Sequence, residues 1–306
     1  MRSKAYGELS DFQKSFLEAM SEAEVHRLQA HPAFDRLARE SNRNATLLRQ
    51  ADPILFDASR QVGRFLAACA VLSLAASPGG LTYQRLGGMM TAASLSGFGR
   101  VQALILYLRT IGYIEPLPTG NDGREKRYGP TPAMKATFRR RFHQELQLAR
   151  EMEPVCGVVA DRFEEPELFD AFTVALGEGS LGGITLPLPG PTLAVFSDRT
   201  GGMTIMAHMI ASADAGGAVF PTVGPAPISV SALAKAANVS RRQVRLVQAA
   251  AEEAGFLLRV GGGPWIVSLA LAHQARFFFA ARVLSIAAFA RQALRTADAA
   301  PGTILA

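Results

Sequence analysis

Apolar residues fall along this chain in a pattern that runs through one cycle of elements and then begins again. Over residues 59–76, Val62, Phe65, Leu66, Cys69, Val71, Leu72 and Leu74 make an almost wholly apolar run, which predicts a helix buried on most sides. Pro78-Gly79-Gly80 ends it, and Leu81-Thr82 has room for one short strand before a helix holding Tyr83, Leu86 and Met90. Val101, Leu104, Ile105 and Leu108 stand at the i, i+3, i+4, i+7 spacing of a single buried face, predicting a helix over 96–111 capped by Gly112. Residues 113–117 read as a strand, Asn121-Asp122-Gly123 as a turn and residues 124–128 as the returning strand. A long helix is expected over 132–151, where Pro132 is tolerated in the first turn.

The second cycle uses the same order with less polar decoration. It predicts a helix over 200–212, a strand at Ile228-Ser229-Val230, a helix over 232–237, and a helix over 241–254 capped by Ser240 and closed by Gly255. Residues 256–260, the Gly261-Gly262-Gly263 turn and residues 264–267 form a shorter hairpin, and one long helix follows over 269–294. Val101, Gly112, Tyr113 and Ile114 reappear as Val244, Gly255, Phe256 and Leu257, each displaced by 143 positions. Arg60 and Arg199, in similar lead-in segments, are displaced by 139, and Pro32-Ala33-Phe34-Asp35 resembles Pro166-Glu167-Leu168-Phe169-Asp170. Self-similarity of this kind sets the architecture, and two copies are too few for a solenoid. Residues 10–50 form a polar, helix-prone preface with Ser10 and Ser21 as caps and Pro32 as a break; residues 177–191 read as a Gly- and Pro-rich loop. A boundary near 151–154 divides the chain into units 1–152 and 153–306, sizes that suit two ordinary domains.

A helix, a tight connection, a second helix and a hairpin make a winged helix-turn-helix, whose second helix fits the major groove of DNA. In the second unit Ser240 caps, Arg241, Arg242, Gln243 and Arg245 carry long polar side chains, and Val244 and Val247 hold the inner face. In the first, Arg100, Gln102 and Arg109 are the long polar residues of the corresponding helix, and the hairpin carries Arg124, Lys126 and Arg127. Asp122-Gly123-Arg124, followed by Thr131-Pro132-Ala133-Met134 opening a helix, resembles the wing of the MarR family of transcriptional regulators. The resemblance covers about residues 59–150 and, more loosely, 199–296. It implies a mainly α fold with small β-hairpin wings: tandem duplicated winged helix-turn-helix domains with long flanking helices. It also implies that Arg124 enters the minor groove, that Asp122 orients it, and that an aromatic or phenolic effector is sensed beside the dimer helices. The second unit has no Asp-x-Arg wing, and the Gly97-Phe98-Gly99 start of the first reading helix departs from the family pattern.

Charge sharpens this picture. The net charge is +6, and up to residue 150 there are 21 Lys and Arg against 13 Asp and Glu, with 11 against 13 beyond it. A basic balance favours an anionic partner. Arg139, Arg140 and Arg141 are open to two readings, phosphate contact or a solvated helix face, and Arg241, Arg242 and Arg245 could instead serve an ion network between domains. Cys69 and Cys156 are too few for a disulfide framework and lie outside any zinc spacing; His26, His31, His143, His208 and His273 stand without metal-ligand partners in sequence. Trp265 and Phe277-Phe278-Phe279 read as core rather than as base-stacking platforms. The amino terminus lacks a signal-peptide core, and Arg282 interrupts the most apolar run, so a cytoplasmic, nucleoid-associated protein with no membrane contact is expected.

No nucleophile elbow, phosphate-binding loop or paired-carboxylate motif is present in the sequence, so neither catalysis nor a cofactor is expected. The leading expectation is a bacterial sequence-specific regulator of double-stranded DNA, acting as a monomeric pseudo-dimer or a homodimer. Its candidate DNA contacts are Arg100, Gln102, Arg124, Lys126, Arg127, Arg139, Arg140, Ser240, Arg241, Arg242, Gln243 and Arg245. Two alternatives remain at this stage: a tandem winged-helix adaptor whose same faces bind protein, and a plasmid or phage replication initiator.

Overall fold

The computed structural model describes residues 9–93, 98–118, 126–182 and 193–299. Within them the protein is mainly helical, with two small antiparallel sheets. The chain opens with α1 (Asp11–Ala19), α2 (Glu22–Gln29), α3 (Phe34–Ala51), α4 (Pro53–Ser59) and α5 (Val62–Ala76). Next come β1 (Leu81–Thr82), α6 (Tyr83–Ala92), α7 (Phe98–Thr110), β2 (Ile114–Pro116), β3 (Arg127–Pro130) and α8 (Pro132–Ala149). Then follow α9 (Pro154–Asp161), α10 (Pro166–Leu181), α11 (Ala194–Ser197), α12 (Gly202–Ala213), β4 (Gly224–Ala226), α13 (Val230–Ala237) and α14 (Arg241–Glu253). The chain closes with β5 (Leu257–Arg259), β6 (Trp265–Val267) and α15 (Leu269–Ala299).

The two sheets share one topology: β3 lies between β1 and β2, and β6 between β4 and β5. Register pairs Thr82 with Arg127 in the first sheet and Arg259 with Trp265 in the second. The same side-chain bonds tie each sheet to the long helix that follows it. The Thr131 hydroxyl donates to the Gly112 carbonyl at 2.6 Å, and the Ser268 hydroxyl to the Gly255 carbonyl at 2.7 Å. Gly112 and Gly255 both have positive φ, +73° and +74°, a conformation that ends a helix and that other residues adopt only under strain. After each glycine an N–H returns to the preceding helix: Tyr113 to Leu108 and Phe256 to Ala251, both at 2.8 Å.

Local chemistry explains where helices begin. Ser10 makes a reciprocal capping box with Gln13, and Thr82, Thr131, Ser229 and Ser240 each accept the N–H of the residue three positions on. The Ser229 cap also corrects the strand expected at 228–230. Its hydroxyl accepts the Ala232 N–H at 3.1 Å and starts α13, so the strand lies earlier, at β4. The loop expected over 177–191 is likewise helical as far as Leu181, because Gly177 and Gly179 are packing positions. A Cβ on Gly177 would overlap the Ser73 side chain of α5, and one on Gly179 would lie 2.7 Å from the Phe289 ring of α15. Residues 183–191 of that expected loop lie outside the described residues.

The chain forms two compact units, and they do not follow the expected division at 151–154. The first comprises residues 1–26, 69–186 and 282–306; the second comprises 27–68 and 187–281. Each lead-in helix, α3 ahead of the first cycle and α10 ahead of the second, therefore belongs to the unit that holds the other cycle's sheet. In the second unit Phe34 of α3 is fully buried, with its ring 5.3 Å from Phe279 of α15 and the Arg276 guanidinium 4.6 Å from its centroid. Asp35 beside it pairs with Arg276. The first unit repeats the device: the Arg139 guanidinium lies 4.7 Å from the Phe169 ring of α10, and Asp170 pairs with Lys135 at 3.6 Å. A cation over an aromatic face contributes roughly 0.5–2 kcal/mol, more as it is desolvated.

Deeper in the first unit, Glu145 of α8 is 8% exposed and lies between two arginines, Arg141 at 2.5 Å and Arg282 at 3.2 Å. Burial pushes its carboxyl up, but the two guanidinium groups outweigh this and hold it below the ordinary carboxylate range. Helix α15, which carries Arg282, is long and apolar enough by length and composition to cross a membrane, and 56% of that stretch is buried inside the protein.

Both cysteines are buried. Burial raises the Cys69 thiol far above its usual range and, with the Glu153 carboxylate adding to the effect, pushes Cys156 up to about 12. Because the thiolate is the reactive form, neither should react with a disulfide reagent in the native protein at neutral pH, whereas both should titrate in urea. Fast native labelling would show that one of them reaches solvent.

Candidate nucleic-acid interface

The residues expected to contact DNA separate into a compact set and a scattered one. The compact set lies on α14. Ser240 fixes the helix start by accepting the Gln243 N–H at 3.1 Å, Val244 and Val247 are fully buried, and the exposed face carries Arg241, Arg242, Arg245 and Leu246. This follows from the sequence: apolar residues at 244, 247 and 251 drive one face inward and turn the arginines out. None of the three arginines makes an ion pair or hydrogen bond among the described residues, so their donors face solvent. An ion network through them, the other reading of these residues, is not formed there. Gln243 differs from its neighbours, for its amide donates to the Thr200 carbonyl at 3.3 Å and braces α14 against the start of α12.

The scattered set belongs to the first unit. Gln102 is exposed on α7; Arg100 opens the same helix, but its side chain lies outside the described residues. Lys126 and Arg127 are exposed on the return arm of the hairpin, and Arg127 is held in register opposite Thr82. Arg124, with the Asp122 expected to orient it, lies outside the described residues. Arg140 is exposed on α8 and reaches Thr137 at 3.4 Å. Arg139 and Arg141 are spent internally: Arg139 lies over Phe169 and pairs with Glu164 at 3.5 Å, and Arg141 holds Glu145. The three-arginine run is thus one outward residue, Arg140, and two held by contacts within the protein.

Charge divides by compact unit in a way that the linear halves conceal. Residues 27–68 and 187–281 hold 14 Lys and Arg against 8 Asp and Glu, a net +6; the remainder of the chain holds 18 of each and is neutral. The electropositive unit is therefore the one that carries α14. Arg27, Arg36, Arg39, Arg43, Arg49, Arg60 and Arg64, counted with the first half of the sequence, belong to that unit.

Leu246, not singled out in the sequence, and Trp265, read there as core, also belong here. Leu246 is 52% exposed between Arg245 and Val247, and Trp265, expected in the core, is half-buried with the Arg259 guanidinium 5.3 Å from its ring. Leu246 could have been found by its outward helical phase, one residue before buried Val247. Among the described residues no three His, Cys, Asp or Glu side chains cluster as a metal site. Compared with known protein families, with characterised proteins and with solved structures, the chain finds no match.

Proposed function

We propose that this protein is a sequence-specific double-stranded DNA-binding regulator, built as two winged helix-turn-helix units in one chain and working in the cytoplasm without catalysis or cofactor. The observation that carries the reading is the row of unpartnered arginines on α14, in the unit of charge +6. A capped helix with its arginines turned outward suits the major groove, where a guanidinium can span the two acceptors of guanine. Leu246 beside them suits a thymine methyl group. Lys126 and Arg127 in the other unit suit phosphate neutralisation, and Arg139, held against Phe169, is not among the contacts. The helix–strand order of both cycles and their closing glycines agree with the winged-helix reading.

The test is recovery of genomic fragments bound by the full chain, followed by anisotropy titration of one fragment over a range of salt concentrations. Wild-type affinity should fall steeply with salt. The pair Arg241→Ala and Arg242→Ala should weaken specific binding by tens- to hundreds-fold, at roughly 1–3 kcal/mol for each lost base contact. Equal affinity of wild type and the double variant for every recovered fragment would sink the reading. A second reading, a protein-binding adaptor, draws on Leu246, Leu258 and Val260, which are 52%, 48% and 76% exposed in the same unit. It predicts salt-insensitive capture of a protein and no retained DNA.

A further inference from the structure

Arg60 stands far from α14 in sequence, yet the fold of the second unit brings it to the start of that helix. Its Nη1 donates to the Asn238 carbonyl at 2.7 Å, in the turn between α13 and α14, and its Nη2 pairs with Asp57 at 2.6 Å. The carbonyl of Arg60 accepts the Gly201 N–H at 2.8 Å, and the neighbouring Gln61 amide donates to the Thr200 hydroxyl at 3.0 Å. The Thr200 carbonyl in turn accepts the Gln243 amide from the first turn of α14. These bonds close a ring that passes from Arg60 to the turn, along the start of α14 to Thr200 and Gly201, and back to Arg60. Arg49 adds a bond to the last turn of α13, at the Lys235 carbonyl. The packing inside the ring is close: a Cβ on Gly201 would lie 2.9 Å from Val239 and 3.2 Å from Ala237.

The ring grips α14 at two points, Asn238 ahead of the Ser240 cap and Gln243 behind it, so the helix start cannot roll or slide without breaking a bond. Arg241 and Arg242 stand between those points in the chain. Reading a base edge needs side chains held within roughly 0.5 Å and 10–20° of the productive geometry. A phosphate makes no such demand, because any nearby cation attracts it. The Arg60 guanidinium is itself poorly placed to meet a phosphate: both terminal nitrogens are bonded within the protein, and its side chain is 21% exposed. Its Nε is buried without an acceptor among the described residues. Removing the guanidinium therefore relieves an unmet donor as it removes a bond, and stability should change little.

We propose that Arg60 is a positioning residue for DNA recognition: through its bond to Asn238 and the ring closed by Gln243, it fixes α14 so that Arg241 and Arg242 read base edges. The inference rests on the DNA reading. It adds that sequence preference, as distinct from general affinity, depends on a side chain that does not touch DNA. Gln243 then serves the same purpose, as its amide is spent on Thr200.

Arg60→Met keeps the apolar stem and removes the donors. In anisotropy titrations of the full chain it should weaken binding to a recovered genomic fragment about tenfold, the discrimination that one base contact supplies. Affinity for an unrelated duplex of the same length, and the salt slope of binding, should stay as in the wild type. Gln243→Leu should act alike, and the double variant should lose less than the product of the separate losses, because either change opens the same ring. Arg60→Lys, which keeps a cation and donor, should recover most of the preference. The inference is overturned if Arg60→Met binds the fragment as the wild type does, or if the losses of Arg60→Met and Gln243→Leu multiply. It is also overturned if Arg60→Met weakens both duplexes equally with a salt slope shallower by about one, the mark of a phosphate contact. Should Arg60→Met fail to fold, Gln243→Leu with wild-type preference overturns it as well. The two readings fail separately. Preference that survives Arg241→Ala with Arg242→Ala removes the DNA reading and this inference with it; preference lost there but kept in Arg60→Met removes this inference alone.

Discussion

Glu145→Leu should lower the free energy of unfolding by about 3 kcal/mol, the lower part of the range for breaking a buried ion pair. The loss comes from what is left behind. Arg141 and Arg282, 18% and 26% exposed at their side chains, would face each other with no carboxylate between them. Partial exposure lets water offset some of this, which is why the lower part of the range applies. Adding Arg282→Met should recover part of the loss, since an apolar side chain tolerates that environment and the like-charge pair is gone. Urea unfolding of the four members of the cycle measures the coupling. The pH dependence has a definite sign. Glu145 is held below the ordinary carboxylate value of about 4.3, so its contribution is complete above that value and disappears as pH falls through the lower folded-state value. The gap between wild type and Glu145→Leu should therefore close on acidification from about pH 5 downward through the lowered folded-state value. A gap that stays constant over that interval would mean that the carboxylate charge is not the stabilising element.

Gly177→Ala should destabilise by about 2 kcal/mol, against the direction of helix propensity, which favours alanine over glycine by up to about 1 kcal/mol. The added methyl would overlap both Oγ and Cβ of Ser73, so α5 and α10 would have to separate. Gly88→Ala is the internal control: nothing lies within 4 Å of a Cβ there, and the same change on α6 should raise stability by about 0.5–1 kcal/mol. Trimming the obstacle in the double variant Ser73→Gly with Gly177→Ala should restore more than the single changes predict, with a coupling of at least about 1 kcal/mol. Equal melting behaviour of Gly177→Ala and Gly88→Ala would contradict the close approach.

These two positions mark where sequence reading succeeds and where it ends. Ser240, Thr131, Gly112 and Gly255 announce helix starts and stops because caps are made with local backbone groups, and all four act as expected. The apolar spacing of Val101, Ile105 and Leu108, and of Val244 and Val247, likewise identifies inward faces. Residues 177–181 deceived because glycine has the same letter in a loop as in a helix that needs a near neighbour; only Ser73 and Phe289 distinguish the cases. Ile228-Ser229-Val230 has strand composition, but the Ser229 cap wins, and β4 forms from residues that include Pro225. For the candidate site, the outward row Arg241, Arg242 and Arg245 was legible from phase alone. The fate of Arg139 was not, because nothing near it in sequence names Phe169 as its cover. The charge of the second unit was hidden for the same reason: the arginines of residues 27–68 join it only through the fold.

The placement of the lead-in helices has a consequence for how the chain can change over evolutionary time. Phe34, ahead of the first sheet in sequence, lies under Arg276, which follows the second sheet, and Phe169, ahead of the second sheet, lies under Arg139, which follows the first. A substitution at any of these positions is therefore judged in the interior of a unit assembled from segments distant in sequence. Selection on the buried residues must act on those segments together, while the exposed arginines of α14 and the exposed Lys126 and Arg127 stay free to diverge.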